Sequence, residues 1–390
     1  MSKFRALMPG VVAAGLAFGS VCEVKADPMM VRSGTDKTKL TIKGHVNRGI
    51  LIVDDGDNTE VFHVDNDASR TRLKVTGKGR ISEDLSIKTV IEVGFRMNST
   101  HAVKIYSKAD DDDDGNNGDN KTHDDDLDVR HTYIGLVSKT FGALTTGHTS
   151  DAADGAAKID LSGTSVAGVG SDATDIGKAV KFKESNGAYS KKKSIGSVFN
   201  NGDGTRTSLV RYDTPSLGGF TGHVSMAQGG WGVGSLTYSG AVAGFKVAGA
   251  VGYSNASSVD EVADGDVNAH RVGSVSALHE SGVGGTLSYA KVVDVNADNR
   301  DKPMSYHAKL GYQAKLIDPG KSYFSVGYGR GENWQANGDE ADAIQFGFKQ
   351  DISAAATELY LSISRIALDT STTTNYKDIV WGMAGARVKF

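Results

Sequence analysis

Apolar and polar residues alternate with a period of two through most of this chain. Between Arg70 and Ile81 the alternation is nearly complete. Arg70, Arg72, Lys74, Thr76, Lys78 and Arg80 share one parity, and Thr71, Leu73, Val75, Gly77, Gly79 and Ile81 share the other. Successive side chains of a β-strand point to opposite faces, so the segment predicts a strand with one cationic and one uncharged face. Its five cations are more than a strand in bulk water needs. The pattern suits a wall with hydrocarbon on one side and an aqueous lumen on the other.

The same period marks sixteen segments. They are Leu40–Val53, Ser69–Ile81, Leu85–Met97, Arg130–Val137, Ala143–His148, Arg206–Tyr212, Phe220–Gln228 and Gly232–Ala241, followed by Phe245–Ser254, Arg271–His279, Gly285–Val293, Met304–Lys315, Ser322–Arg330, Ala343–Gln350, Glu358–Leu368 and Ile379–Phe390. The number is even, as a single-chain outer-membrane barrel requires. Short connections such as Ser82-Glu83-Asp84 and Ala243-Gly244 alternate with longer, polar ones such as Val53–Ala68, Asn98–Val129 and Asn255–His270. Gly229–Trp231 is short where a long connection is due. Phe324, Val326 and Tyr328 alternate with Ser325, Gly327 and Gly329, and Ile344, Phe346 and Phe348 with Gln345, Gly347 and Lys349. The apolar set predicts a lipid-facing surface with aromatic girdles. The fold expected is all-β: a transmembrane antiparallel up-and-down β-barrel of sixteen strands, closed because no edge can stay unpaired in lipid. A circumference of this size leaves a water-filled channel in place of a packed core.

Composition agrees with that reading. Glycine is abundant (49) and proline scarce (5), and Pro215, Pro303 and Pro319 fall outside the alternating runs. Residues 1–26 read as a signal peptide: Lys3 and Arg5 precede an apolar stretch from Val11 to Val21, and Val24-Lys25-Ala26 supplies small residues for cleavage. The only cysteine, Cys22, lies within it. Residues 27–390 are then a single barrel domain without thiols, disulfides or thiolate metal sites.

The leader takes away three cations and one acid, leaving 40 Lys and Arg against 46 Asp and Glu. The segment 98–127 contains nine Asp and three Lys, the whole of that excess. The rest is balanced, which argues against a nucleic-acid partner.

Motifs that imitate chemistry fail on inspection. Asp110, Asp112 and Asp114 begin a calcium-loop pattern, but Lys121 stands where the bidentate Glu belongs. The segment is an acidic surface loop, at most a loose divalent-cation site, and no other cofactor is expected. No zinc-protease spacing, nucleophile elbow or P-loop is present, so no catalytic residues are assigned.

Several stretches resemble the general (trimeric, sixteen-stranded) porin superfamily of Gram-negative proteobacteria. Gly44-His45-Val46-Asn47-Arg48 with Asp54-Asp55-Gly56 looks like its first strand and loop. Arg130–Leu136 with Phe141-Gly142, and Arg211–Pro215 with Gly218-Gly219-Phe220, look like later hairpins. The terminal Phe390 resembles the signal read by the barrel-assembly machinery.

The resemblance implies an outer-membrane channel for passive diffusion of small hydrophilic solutes and ions. It implies a homotrimer embedded in outer-membrane lipid. It also implies a constriction loop, here residues 149–205, folded into the lumen. The acids Asp151, Asp154, Asp160, Asp172 and Asp175 of that loop would face a basic wall of Lys43, Arg70, Arg72, Lys74, Arg96 and Arg130, and Ser190–Lys193 would be a solvated tip. The alternatives are a substrate-selective anion or sugar channel, and a surface adhesin or structural barrel.

Overall fold

Each alternating segment can satisfy its backbone only by pairing on both sides, and the chain meets that demand by closing on itself. The computed structural model describes residues 34–35, 37–105, 126–170, 175–255, 267–295 and 301–390. The wall starts with β1 (Thr38–Asp54), β2 (Thr59–Asp65), β3 (Arg72–Arg80), β4 (Leu85–Arg96), β5 (Asp126–Ser138) and β6 (Gly142–Ser150). A separate small hairpin, β7 (Lys181–Lys183) and β8 (Tyr189–Ser194), follows. The wall resumes with β9 (Arg206–Asp213), β10 (Phe220–Ala227), β11 (Gly232–Val242), β12 (Phe245–Asn255), β13 (Val267–His279) and β14 (Val283–Val295). It ends with β15 (Met304–Ile317), β16 (Gly320–Glu332), β17 (Glu340–Ile352), β18 (Thr357–Asp369) and β19 (Ile379–Lys389).

Seventeen of these strands form one antiparallel sheet. Closure comes from β19 against β1, in the register Val46↔Val388 and Gly49↔Gly385. Gly44 and Phe390 exchange backbone hydrogen bonds at 2.9 and 3.1 Å, so the last residue completes the seam. β2 pairs with the second half of β1 and β3 with its first half, so the two are one interrupted wall strand and the barrel has sixteen. The segment Val53–Ala68, expected as a loop, is therefore mostly strand. The interruption is a 3-10 turn at Asp67–Ser69, capped by the Asn66 side chain accepting from the Ala68 N–H at 2.9 Å. The run Asp65-Asn66-Asp67-Ala68-Ser69 has the short polar side chains that favour turns.

At one end the connections are tight. Ala243 and Gly244 join β11 to β12 with φ of 48° and 79°, the double left-handed pair of a two-residue hairpin. The short link between β10 and β11 is present as read from the sequence. The outer band is apolar: Val224, Leu310, Val326 and Ile344 are all more than half exposed, as a lipid-facing surface must be.

The interior departs from the expectation of an open channel. The inner faces of β1, β2 and β17–β19 carry Leu51, Val53, Phe62, Val64, Ile366, Ile379, Trp381 and Met383, all buried. Against them pack Val166, Ile176, Val180, Phe182, Ile195 and Val198 of the segment between β6 and β9. One side of the interior thus holds a true hydrophobic core, with roughly 1.5–3 kcal/mol for each large side chain fully withdrawn from water. Ser190–Lys193, expected as a solvated tip, belongs to β8: Ser190 is buried and Lys193 pairs with Asp339.

Candidate functional site

The segment 151–205 leaves the end of β6 and crosses the barrel interior, touching the inner parity of strand after strand. The Ala152 N–H donates to Ser225 Oγ at 2.9 Å, Ile159 N–H to Ser274 Oγ at 2.9 Å and Leu161 N–H to Ser276 Oγ at 3.0 Å. Small Ala152, Ala153, Ala156 and Ala157 let the backbone lie flat on Val233, Ala250, Val272 and Ala290. Further on, Thr164 and Ser325 hydroxyls meet at 2.7 Å, and Asn66 Nδ2 donates to the Val166 carbonyl at 2.7 Å. The β7–β8 hairpin then rises beside the outer loops, where Lys183 reaches Asp57 at 3.2 Å and the Tyr189 hydroxyl donates to Asp55 at 2.5 Å.

Two acids of this segment do not face the basic wall. The Asp160 side chain is buried and bound to Lys309 Nζ of β15 at 2.5 Å, with Thr286 Oγ1 at 3.1 Å and the Ser162 N–H at 2.9 Å. Burial pushes its carboxyl upward, but Lys309 outweighs that and holds it below the ordinary value. Lys309 has no exposed side-chain surface and also donates to the Val169 carbonyl at 2.8 Å. Asp151 is a buried cap that accepts from the N–H groups of Ala153 (2.8 Å), Asp154 (2.9 Å) and Thr205 (2.8 Å), and burial raises its carboxyl. Both were expected to face the basic wall of β3–β5; both fasten the crossing segment instead.

Asp154 lies nearest to that role, 3.6 Å from Arg206. Asp175 is half-buried, and its backbone carbonyl accepts from Thr100 Oγ1 at 3.4 Å. Asp172, Asp110, Asp112 and Asp114 lie outside the described residues. Beside Asp151, Asp203 has a buried side chain that accepts from Gly155 N–H (2.8 Å) and Ala157 N–H (3.3 Å), and burial pushes its carboxyl up to about 6.

The basic residues do gather, on the wall that the crossing segment leaves uncovered. Arg72 and Lys74 project inward from β3 and Arg96 from β4. Arg70 is not on the strand as expected; it closes the 3-10 turn, and its Nε donates to Asp67 at 2.7 Å. Lys43 stands opposite Lys74 in the β1–β3 register and is exposed. Arg130 occupies the irregularity between Glu92↔His131 and Val93↔Val129, where an extra residue lets it share the inner face with His131.

The partners of these cations are wall acids that the sequence reading passed over. Glu92 takes Lys74 at 2.9 Å, Arg130 at 2.9 Å and Arg72 at 3.4 Å; Asp67 takes Arg70 and, at 3.9 Å, Arg96; Asp128 takes Arg70. Glu92 was within reach of the pattern, since it shares the inner parity of β4 opposite Lys74. Two of the three acids sit underneath: the Glu92 and Asp67 side chains are 4% and 1% exposed, against 24% for Arg72 and 27% for Lys74 and Arg96, whereas Asp128 is 37% exposed and Arg70 and Arg130 are buried. Over Glu92 and Asp67 the lumen therefore meets Arg72, Lys74 and Arg96 first, with the more exposed Asp128 beside Arg70.

The sequence matches the family model for Gram-negative porins over residues 6–371. The chain belongs to the Gram-negative porin family. Solved structures agree on the fold. The porin resembles the anion-selective porin from Comamonas acidovorans (15% identity, TM-score 0.56, covering 90% of this chain and 100% of that one). It also resembles OmpT of Vibrio cholerae (12%, 0.58, 93% and 100%) and the outer membrane channel DcaP of Acinetobacter baumannii (14%, 0.56, 93% and 99%). No curated protein sequence matches the chain. The porin is an outer-membrane β-barrel channel for passive diffusion of small solutes.

Proposed function

We propose that this porin is a general diffusion channel with a preference for anions, exerted where the segment 151–205 narrows the lumen against the wall of β3–β6. The observation that carries the reading is the layering of charge on that wall. Arg70, Arg72, Lys74, Arg96 and Arg130 outnumber Asp67, Glu92 and Asp128, and the two acids that pair with most of them lie deepest. Charge rings of one sign bias which ions enter a pore, and a low-dielectric wall focuses their field. Transport is passive and without catalysis, Phe390 serves the assembly machinery, residues 1–26 are removed, and the protein works as a homotrimer. A solved relative of the same fold, OmpT of Vibrio cholerae, has a trimer form, and another is an anion-selective porin.

The test is a planar bilayer between unequal KCl solutions. The reversal potential of the wild type should have the sign of anion preference, and Arg72→Ser with Lys74→Ser should move it toward the cation limit. A wild type without conductance, or a reversal potential that the double substitution leaves unmoved, would overturn the reading.

A further inference from the structure

The strands that carry the charged wall hold a second row of cations nearer the tight turn at residues 81–84. In the register of β1, β3 and β4, Lys39 lies opposite Lys78 and Lys78 opposite Lys88. All three share the inward parity of Lys74 and Glu92, four residues away along β3 and β4. The row facing Glu92 includes an acid: Lys43 and Lys74 stand abreast with it, and it draws Lys74 to 2.9 Å. In the second row Lys88 takes the place of that acid. The carboxylates of the adjoining turn are engaged elsewhere, Glu83 with Arg80 at 3.8 Å and Asp84 with Ser138 Oγ at 2.6 Å and the Thr140 N–H at 3.0 Å. Among the described residues none of the three lysines has an acidic partner. Like charges directly opposite each other weaken a sheet, so an anion from the lumen would relieve the row.

The surroundings fix what kind of anion fits. Neighbouring strands are ~4.8 Å apart, so the backbones of the three lysines span only about 10 Å. Lysine stems are flexible, which lets the ammonium groups converge on one solute. Lys39 and Lys78 are exposed and Lys88 is half-buried, its ammonium 5.7 Å from the centre of the Tyr133 ring. Opposite Lys88 on β5 is Gly135, whose missing side chain leaves room beside the ammonium. Thr41 and Thr76 face each other on the same inner surface, next to the row, and supply hydroxyl donors. Attraction to each ammonium doubles with the charge of the anion, and lysine binds oxyanions as a point charge. A divalent oxyanion therefore gains more from this row than chloride does, and its several oxygens can meet the ammonium and hydroxyl groups together.

We propose that Lys39, Lys78 and Lys88 form a binding station for divalent tetrahedral oxyanions, of the sulfate and phosphate kind, inside the tight-turn mouth of the channel. The station rests on the anion preference proposed above and adds to it a choice among anions. It is separate from the Glu92 cluster, where a carboxylate already holds the cations. Exposure of the lysines keeps binding weak enough for the solute to leave, as conduction requires.

Single-channel current through the full mature protein in KCl tests this. Potassium sulfate is added to both sides at constant ionic strength, with potassium methanesulfonate, a monovalent oxyanion, as the control. Sulfate should reduce the chloride current at concentrations where methanesulfonate does not. Lys78→Gln with Lys88→Gln should raise the half-blocking sulfate concentration roughly tenfold, taking two exposed charge pairs near the upper end of their usual worth. Lys78→Arg with Lys88→Arg, which keeps the charges, should keep the block, and heat-modified gel migration like that of the wild type shows each barrel intact. An anion-preferring wild type on which sulfate acts no more strongly than methanesulfonate, or whose block the double Gln variant leaves unchanged, would overturn the station and leave the wider reading in place. A cation-preferring wild type would overturn that reading and the station with it.

Discussion

At the scale of single residues, the decisive distinction is between charges that face water and charges that hold the chain in place. Lys309 and Asp160 belong to the second kind. Removing one member of a buried ion pair leaves the other uncompensated, a loss of about 3–5 kcal/mol. Lys309→Met should therefore loosen the crossing segment from β15, seen as flickering current levels in single-channel records. Adding Asp160→Leu should restore a steady trace in part. A quiet Lys309→Met channel would deny the pair its fastening role.

Asp203 gives a pH dependence of known sign. Its carboxyl, pushed up to about 6 in the folded chain, is higher than in the unfolded one, so its contribution is full below the unfolded value and is lost as pH rises through about 6. Protection of the 151–160 amides, corrected for intrinsic exchange, should fall between pH 4 and pH 7 by on the order of 2 kcal/mol. Asp203→Asn should flatten that fall, and a variant as pH-dependent as the wild type would refute the assignment.

At the scale of elements, the strands were legible because lipid outside and water inside impose opposite demands on alternate residues. The same rule hid what broke it. The first segment contains Ile50-Leu51-Ile52-Val53, apolar on both parities, which is how a strand buried on both faces reads. That run marked the inner core, but it passes for an ordinary lipid-facing strand when only one face is followed. The 3-10 turn at Asp67–Ser69 was likewise visible as a cluster of turn formers, yet the parity of Arg70 carried on through it.

Arg130 is different in kind. Its inward aim depends on an irregularity between two strands, a relation that no single segment contains. The pairing of Asp160 with Lys309, 149 residues apart, was equally out of reach: charge pattern shows that acids and bases are present, not which ones fold onto the same wall. One consequence concerns β4. Glu92→Gln removes the carboxylate shared by Arg72, Lys74 and Arg130 and should strengthen anion preference in a reversal-potential measurement; a shift toward cations would contradict the layered wall.

At the scale of the whole molecule, the barrel is not an evenly open tube. The segment 151–205 and the inner faces of β1, β2 and β17–β19 close one side with a hydrophobic core, and the charged wall of β3–β6 borders what stays open. The asymmetry concentrates the cations on the permeant path, so a modest excess of charge can govern selectivity.

The route of that path is the central claim, and thiol reactivity tests it most directly because Cys22 is the only cysteine and lies in the expected leader. Lys74→Cys and Ser362→Cys are placed separately in otherwise cysteine-free channels and treated in the bilayer with a charged methanethiosulfonate. Lys74 borders the open side, whereas Ser362 is fully buried on the inner face of β18. Rapid loss of conductance in the Lys74→Cys channel, with the Ser362→Cys channel unaffected, is the result expected; block at Ser362→Cys with none at Lys74→Cys would contradict it.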